Sequence, residues 1–222
     1  MIFLILVAIV IVVFVKRDRN MPPPIESPEV EESEEAILEA PAPMVVQGTG
    51  SAPVETSNQA EIKLGILQDI LNSGKDNDPR LESELKVLDS ATKQAFTSLY
   101  DEWAPEGRNG RGTIIFLIGR NLNEKSDFDF LGRVLGEPQC LSLIDCNVAP
   151  EPGIDEDQGA TEIALMYPQV VALESIRRVF ETDPATFEKF RAEIELALAA
   201  GSKSDSPLIA ERSEELLRTL SQ

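Results

Sequence analysis

The first fifteen residues, Met1 to Val15, carry no polar or charged side chain, and three cations follow at Lys16, Arg17 and Arg19. Such a run is typical of a segment in hydrocarbon, and as a helix it covers roughly 22 Å of a core about 30 Å thick. The apolar stems of lysine and arginine lengthen the run while their charges stay at the interface. We therefore predict a transmembrane anchor over residues 1–16, with these three cations as the membrane-interface residues.

A cleaved secretory signal has an apolar core of similar length and is the competing interpretation. No basic residue precedes the run, and Lys16–Asn20 contains no small-x-small cleavage site. We therefore predict a retained, single-pass signal-anchor. Basic residues concentrate on the cytoplasmic side of a membrane span, so the cations predict a cytoplasmic domain on a bacterial-type inner membrane.

Residues 17–57 have the composition of a linker. Proline and glutamate recur from Pro22 to Pro53, and large apolar side chains are few. Such a segment cannot offset its ordering entropy by burial, and charge repulsion extends it. We predict a disordered acidic spacer. The short apolar patches at 35–41 and 44–46 are either part of this spacer or a docking motif for a partner.

From residue 58 to 222 the apolar residues recur at helical spacing. Proline follows a capping residue at Asp78-Pro79, Asp183-Pro184 and Ser206-Pro207, as at the start of a helix. The pattern predicts one mainly α globular domain, in which consecutive helices pack as a compact bundle. A glycine-rich segment, Gly107–Gly112, is predicted to be a connecting loop.

Two apolar runs leave the fold class open. Residues 113–118 are rich in β-branched side chains and are apolar from Ile114 onward, and residues 140–146 run from one cysteine to another. Periodicity alone does not separate a buried strand from a buried helix over so short a run. An α/β domain with buried strands at these two places is the alternative.

Three segments of the domain resemble a HEAT-type helical repeat. They are Arg111–Arg120, the stretch Asp129–Leu131 with Val134 and Leu135, and Pro207–Arg212 with Leu216 and Leu217. The resemblance implies a short HEAT-like solenoid as a variant of the mainly α fold. It also implies a protein-binding scaffold rather than a catalyst.

Charge and composition exclude several classes of function. The net charge of −19 argues against a nucleic-acid binder, which needs a basic surface, and fits either a soluble domain or a domain that binds a basic protein. The chain has no histidine, which excludes histidine triads and histidine metal sites. Cys140 and Cys146 lack the spacing of a zinc site, and in the cytoplasm we expect them reduced, with one or both buried. In the opposite orientation a local disulfide between them is the alternative.

No constellation of residues predicts a reaction, a cofactor or a small-molecule substrate. Gly107–Gly112 lacks the Lys-Ser/Thr ending of a phosphate-binding loop, and Asp155–Gly159 lacks the spacing of a calcium loop. The predictions therefore contain no catalytic, cofactor or metal residue. Five side chains are candidates for binding a protein partner, namely Trp103, Arg108, Arg111, Arg177 and Arg178. Ion pairs with acids on the same helix explain the last two equally well.

The arrangement of anchor, acidic spacer and helical domain predicts a membrane-tethered adaptor or scaffold that recruits a protein partner to the inner face of a membrane. This layout resembles that of bitopic bacterial adaptor proteins, such as the membrane anchor of the division ring. Two alternatives remain: an accessory subunit of a larger membrane complex, and an anchored enzyme without a recognisable site.

Overall fold

The computed structural model describes residues 54–149 and 158–220, and the regular elements within these ranges are helices. Side chains are described over residues 58–149 and 162–220, all of which lie in one unit, Thr49–Gln222. The ten helices are α1 (Val54–Ser73), α2 (Arg80–Ser83), α3 (Ser90–Glu102), α4 (Arg108–Gly119), α5 (Lys125–Leu135), α6 (Gln158–Leu165), α7 (Tyr167–Thr182), α8 (Pro184–Lys189), α9 (Arg191–Gly201) and α10 (Pro207–Leu220). The mainly α fold class is confirmed over these ranges.

Helix starts follow the capping chemistry of the sequence. The carboxylate of Asp89 accepts a hydrogen bond from the backbone N–H of Thr92 at 2.7 Å and begins α3. Asp183 caps α8 in the same way, and Pro184 occupies its first turn, as the sequence predicts. Helix α5 begins at Lys125, because Glu124 and Asp127 form a reciprocal capping box.

Helix α4 lies at the centre of the core and resolves the first ambiguous run. Ile114, Ile115, Leu117 and Ile118 are all at most 1 % exposed, because α4 packs against α7, α3 and α5. A run that is apolar on every side is therefore a buried helix, and the alternative of a strand at 113–118 is wrong. The second run, 140–146, is an irregular loop, so no strand forms there either.

Two predicted helices are interrupted. The helix expected to follow Pro79 consists of the single turn of α2, an irregular segment and then α3, which Asp89 caps anew. The helix expected after Pro184 breaks at Phe190, between α8 and α9. Each break lets both apolar segments reach one core, since Leu81, Leu85 and Phe96 are all buried there.

A buried ion pair joins α3 to α5. Lys93 Nζ lies 2.7 Å from Asp127 Oδ2, and the two side chains are only 4 % and 3 % exposed. The ammonium also donates to Asn123 Oδ1 and the Asn121 carbonyl, while Asp127 Oδ2 accepts the backbone N–H groups of Asn123 and Glu124. The pair is thus desolvated but fully hydrogen-bonded.

The predicted anchor at 1–16, its interface cations and most of the predicted spacer at 17–57 lie outside the described residues. Helix α1 begins at Val54, four residues before the predicted start of the domain at 58. Within residues 54–149 and 158–220, no helix is long and apolar enough to cross a membrane.

The same glycine-to-alanine change is expected to have opposite effects at two helical positions. A Cβ on Gly132 of α5 would lie 3.0 Å from the Ala197 Cα of α9, whereas a Cβ on Gly65 of α1 meets nothing within 4 Å. Gly65→Ala should raise the free energy of unfolding by about 0.5–1 kcal/mol, through helix propensity. Gly132→Ala should lower it by about 1 kcal/mol, since overpacking outweighs that gain.

Urea unfolding of both variants, followed by far-UV circular dichroism, checks these signs, and Gly65→Ala is the matched control. A stabilising Gly132→Ala would show that α5 and α9 are not in close contact.

Candidate functional site

A short loop closed by a disulfide follows α5, and we call residues 140–148 the disulfide loop. Cys140 and Cys146 are bonded, and the Leu141 N–H donates to the Cys146 carbonyl at 3.0 Å. Inside the ring, the Ser142 hydroxyl donates to the Asp145 carbonyl and accepts from its N–H. The expectation of two reduced cysteines is wrong in this structure, although Cys140 is buried as expected.

The guanidinium of Arg108 forms several hydrogen bonds with the disulfide loop. Its Nη1 donates to Cys140 Sγ at 2.8 Å and to the Ser142 carbonyl at 3.2 Å, and its Nη2 donates to the Leu143 carbonyl at 2.7 Å. Only 8 % of Arg108 is exposed, so these bonds replace water. The carboxylate of Glu106 accepts the Cys146 N–H and fixes the other end of the loop.

Four apolar side chains of the disulfide loop are exposed. Ile144 is 89 % exposed, Val148 56 %, Leu143 50 % and Leu141 44 %. Single exposed apolar residues are ordinary on protein surfaces, but a cluster on one short loop is typical of a binding surface. The disulfide and Arg108 restrict the loop, so these side chains are presented with little conformational freedom.

A second arginine of α4 belongs to a partly buried polar cluster, which lines the same cavity as the disulfide. Arg111 Nη2 lies 2.9 Å from Glu137 Oε1, and its guanidinium carbon is 3.9 Å from the centroid of the Tyr100 ring. The Tyr100 hydroxyl donates to the other carboxylate oxygen at 3.0 Å. Burial, and then the negative charge of Glu137, raise the pKa of Tyr100 far above its ordinary value, so the phenol stays a donor.

A cavity of about 220 Å³ lies between this cluster and the disulfide. Arg108, Arg111, Glu137 and Gln169 line it together with both cysteines. Two polar atoms of the lining residues, Gln169 Oε1 and Arg111 Nε, are buried and have no hydrogen-bond partner among the residues whose side chains are described. Gln169 is 4 % exposed, so its carboxamide faces the interior and not bulk water.

The glycine-rich segment before and within α4 has a packing role. A Cβ on Gly107 or Gly110 would press on the indole of Trp103, and a Cβ on Gly112 would clash with the ring of Tyr167. The segment is therefore the start of a helix rather than the predicted loop, because α4 begins at Arg108. Because these glycines have no Cβ, the two aromatic rings can pack directly against the backbone.

Three of the five predicted partner-binding residues come together here. Arg108 and Arg111 both line the cavity, and half-buried Trp103 lines a second cavity together with Arg108. The other two, Arg177 and Arg178, lie on α7 away from the cavity lining. Arg177 pairs with Glu174 and Glu181 on its own helix, as the alternative interpretation expected. Arg178 donates to the Gly119 carbonyl, and burial, followed by the charge of Arg120, lowers its pKa.

The sequence interpretation contains the disulfide only as the alternative for the opposite orientation, and it misses the Arg111–Glu137–Tyr100 cluster and Gln169. The spacing of the cysteines was a signal for the first, whereas no sequence pattern marks a single glutamine in a helix. Among the described residues, no group of histidine, cysteine and carboxylate side chains could hold a metal ion.

Comparison of the chain with protein-family models, with curated proteins and with solved structures finds no match. The site is therefore interpreted from its own residues.

Proposed function

We propose that this chain is a membrane-tethered protein-interaction adaptor whose helical domain binds a partner through the disulfide loop. In this proposal residues 1–16 anchor the chain, residues 17–57 form an acidic spacer, and the domain is the binding module. The exposed apolar side chains of the disulfide loop are the observation that carries it. A cross-linked loop loses little conformational entropy on binding, which favours affinity.

The partner we propose has an apolar pocket with a basic rim. Ile144, with 89 % of its surface exposed, is the natural anchor for such a pocket. The chain carries a net charge of −19, and Asp145 lies next to this residue. Complementary basic groups would speed association and align the partner.

The arrangement of helices favours a bundle over the HEAT-like solenoid. Packed pairs include α5 with α9, α4 with α7 and α10 with α7, which are far apart along the chain. In a solenoid each helix packs mainly against its neighbours in sequence. We therefore propose that the domain is a closed bundle with a binding loop at one end.

Two observations bear on the side of the membrane, and they disagree. The cations Lys16, Arg17 and Arg19 favour a cytoplasmic domain. The disulfide between Cys140 and Cys146 favours an oxidising compartment. A covalent bond within the domain bears directly on where the domain resides, and we therefore propose the oxidising side over the inner face.

Photo-crosslinking from the disulfide loop tests the adaptor proposal. A crosslinking amino acid at position 144 should capture one specific protein in cells, whereas the same amino acid at position 87 should not. Val87 is the matched control, because it is 68 % exposed and also lies in an irregular segment. With the purified partner, Ile144→Asp should weaken binding at least about tenfold, and Val87→Asp should leave it unchanged.

Equal capture from both positions, or an Ile144→Asp variant that binds normally, would remove the disulfide loop from the interface. The same assay on a chain lacking residues 1–19 separates tethering from assembly. Retained binding in solution supports an anchor that only localises the domain, and lost binding supports an accessory subunit of a membrane complex.

A further inference from the structure

The cavity beneath the disulfide loop contains a cation that the chain does not neutralise. Arg108 is 8 % exposed, and its hydrogen bonds go to sulfur and to backbone carbonyls; within the described ranges it forms no ion pair. Arg111, by contrast, is neutralised by Glu137 at 2.9 Å. Burying a guanidinium without a counter-charge costs free energy, and a bound anion that pairs with it would offset this cost.

Two helices begin at this cavity and add to its positive potential. Arg108 is the first residue of α4, while Pro168 and Gln169 lie in the first turn of α7. Neither helix has a side-chain cap or an acidic residue in its first turn. The N-terminus of a helix carries roughly half a positive charge. This partial charge disfavours a nearby cation and favours a nearby anion.

The side chain of Gln169 points to a ligand independently of the helix ends. It is 4 % exposed, it lines the cavity, and within the described part of the chain its Oε1 has no hydrogen-bond partner. Arg111 also lines the cavity, and its Nε is likewise buried without a hydrogen-bond partner in the described ranges. Such orphaned polar atoms are rare in folded proteins and costly, by about 1–3 kcal/mol each. One is an acceptor and the other is a donor, so both would be satisfied by a molecule that accepts and donates.

We propose that this cavity binds a small carboxylate that carries an O–H or N–H donor next to the carboxyl group. The carboxylate would face Arg108, Arg111 Nε and the helix starts, and the donor would bond to Gln169 Oε1. The volume of about 220 Å³ fits a ligand of single-amino-acid size rather than a drug-sized molecule. Pro105, Pro138 and Leu165 supply apolar walls, which suit a carbon-bearing acid better than a bare phosphate ion.

This chemistry occurs in free hydroxy or amino acids and in the C-terminal residue of a peptide. Isothermal titration of the full chain in a mild detergent, with lactate and N-acetylalanine as the two probes, distinguishes these sources. Propionate lacks the O–H or N–H donor and therefore tests the contribution of that donor to binding. Lactamide lacks the negative charge and therefore tests the contribution of the carboxylate. We expect one or both of the donor-bearing acids to bind at least tenfold more tightly than propionate, and lactamide to show no binding.

Two variants of one residue test the assignment. Gln169→Leu should keep carboxylate binding but lose the preference for lactate or N-acetylalanine over propionate. Gln169→Glu places a fixed negative charge in the cavity and should reduce carboxylate binding at least tenfold. Gln94→Glu, at an exposed position of α3, is the matched control and should bind as wild type.

Circular dichroism establishes that each variant is folded before titration. Tighter binding of inorganic phosphate than of any carboxylate would overturn the ligand class. Equal binding of lactate and lactamide, no binding of either acid, or unchanged selectivity in Gln169→Leu would overturn the site.

Discussion

Lys93→Met is expected to lower the free energy of unfolding by about 3–5 kcal/mol, because it leaves a buried carboxylate without its cation. Asp127 is 3 % exposed and lies 2.7 Å from the ammonium. In the variant it would keep the N–H groups of Asn123 and Glu124 as donors, but its charge would lie in a desolvated site. Methionine is close in volume to the lysine stem, so packing changes contribute little. Urea unfolding at neutral pH measures the loss.

Lys125→Met is the matched control for this prediction. Lys125 also pairs with an aspartate, Asp129 at 2.9 Å, but these side chains are 60 % and 56 % exposed. Exposed pairs of this kind contribute about 0.3–0.5 kcal/mol, so the control should stay within 1 kcal/mol of wild type. Equal effects of the two substitutions would show that the Lys93–Asp127 pair is hydrated rather than buried.

The helical part of this fold could largely be predicted from local chemistry. Where a cap residue precedes proline and an apolar face follows, as at Asp183-Pro184 and Ser206-Pro207, the helix begins at the predicted place. These signals are local, because a cap satisfies N–H groups only a few residues away. Breaks such as Phe190 have no such signal, since they depend on where two apolar faces meet a shared core.

Helix α4 shows how tertiary contacts override a local preference. Glycine disfavours helix, so Gly107–Gly112 alone predicts a loop. In the fold, Gly110 and Gly112 lie within α4, because only glycine lets Trp103 and Tyr167 pack so closely against its backbone. The burial of the following isoleucines on all sides is likewise a property of the whole domain.

The candidate site was predictable only in part, and for a physical reason. The sequence marks Arg108 and Arg111 as candidates, but their hydrogen-bond partners lie 26 to 38 residues away along the chain. Charge and spacing in a sequence do not reveal which carbonyl or carboxylate a guanidinium will meet. The state of Cys140 and Cys146 was inferred from the presumed compartment, so the error in that prediction followed from the anchor and not from the cysteines.

Removing the disulfide is expected to destabilise the domain and to free the disulfide loop. For Cys140→Ser with Cys146→Ser, the entropy of a closed loop this short predicts a loss of about 2 kcal/mol, at the lower end of the usual 2–5 kcal/mol. The Leu141 N–H, which donates to the Cys146 carbonyl, should then exchange with solvent much faster. Urea unfolding and hydrogen exchange of that amide measure the two effects.

Wild-type protein in reductant should match the double serine variant in both measurements, which separates the covalent bond from the serine side chains. In cells, an acid-quenched sample should react with a maleimide at Cys140 and Cys146 only after reduction, because the oxidised pair has no free thiol. Labelling without reductant would place the domain in a reducing compartment and restore the orientation that Lys16, Arg17 and Arg19 favour. The loop would then present Ile144 without its covalent constraint, and the hydrogen bonds of Arg108 and Glu106 would be left to order the binding surface.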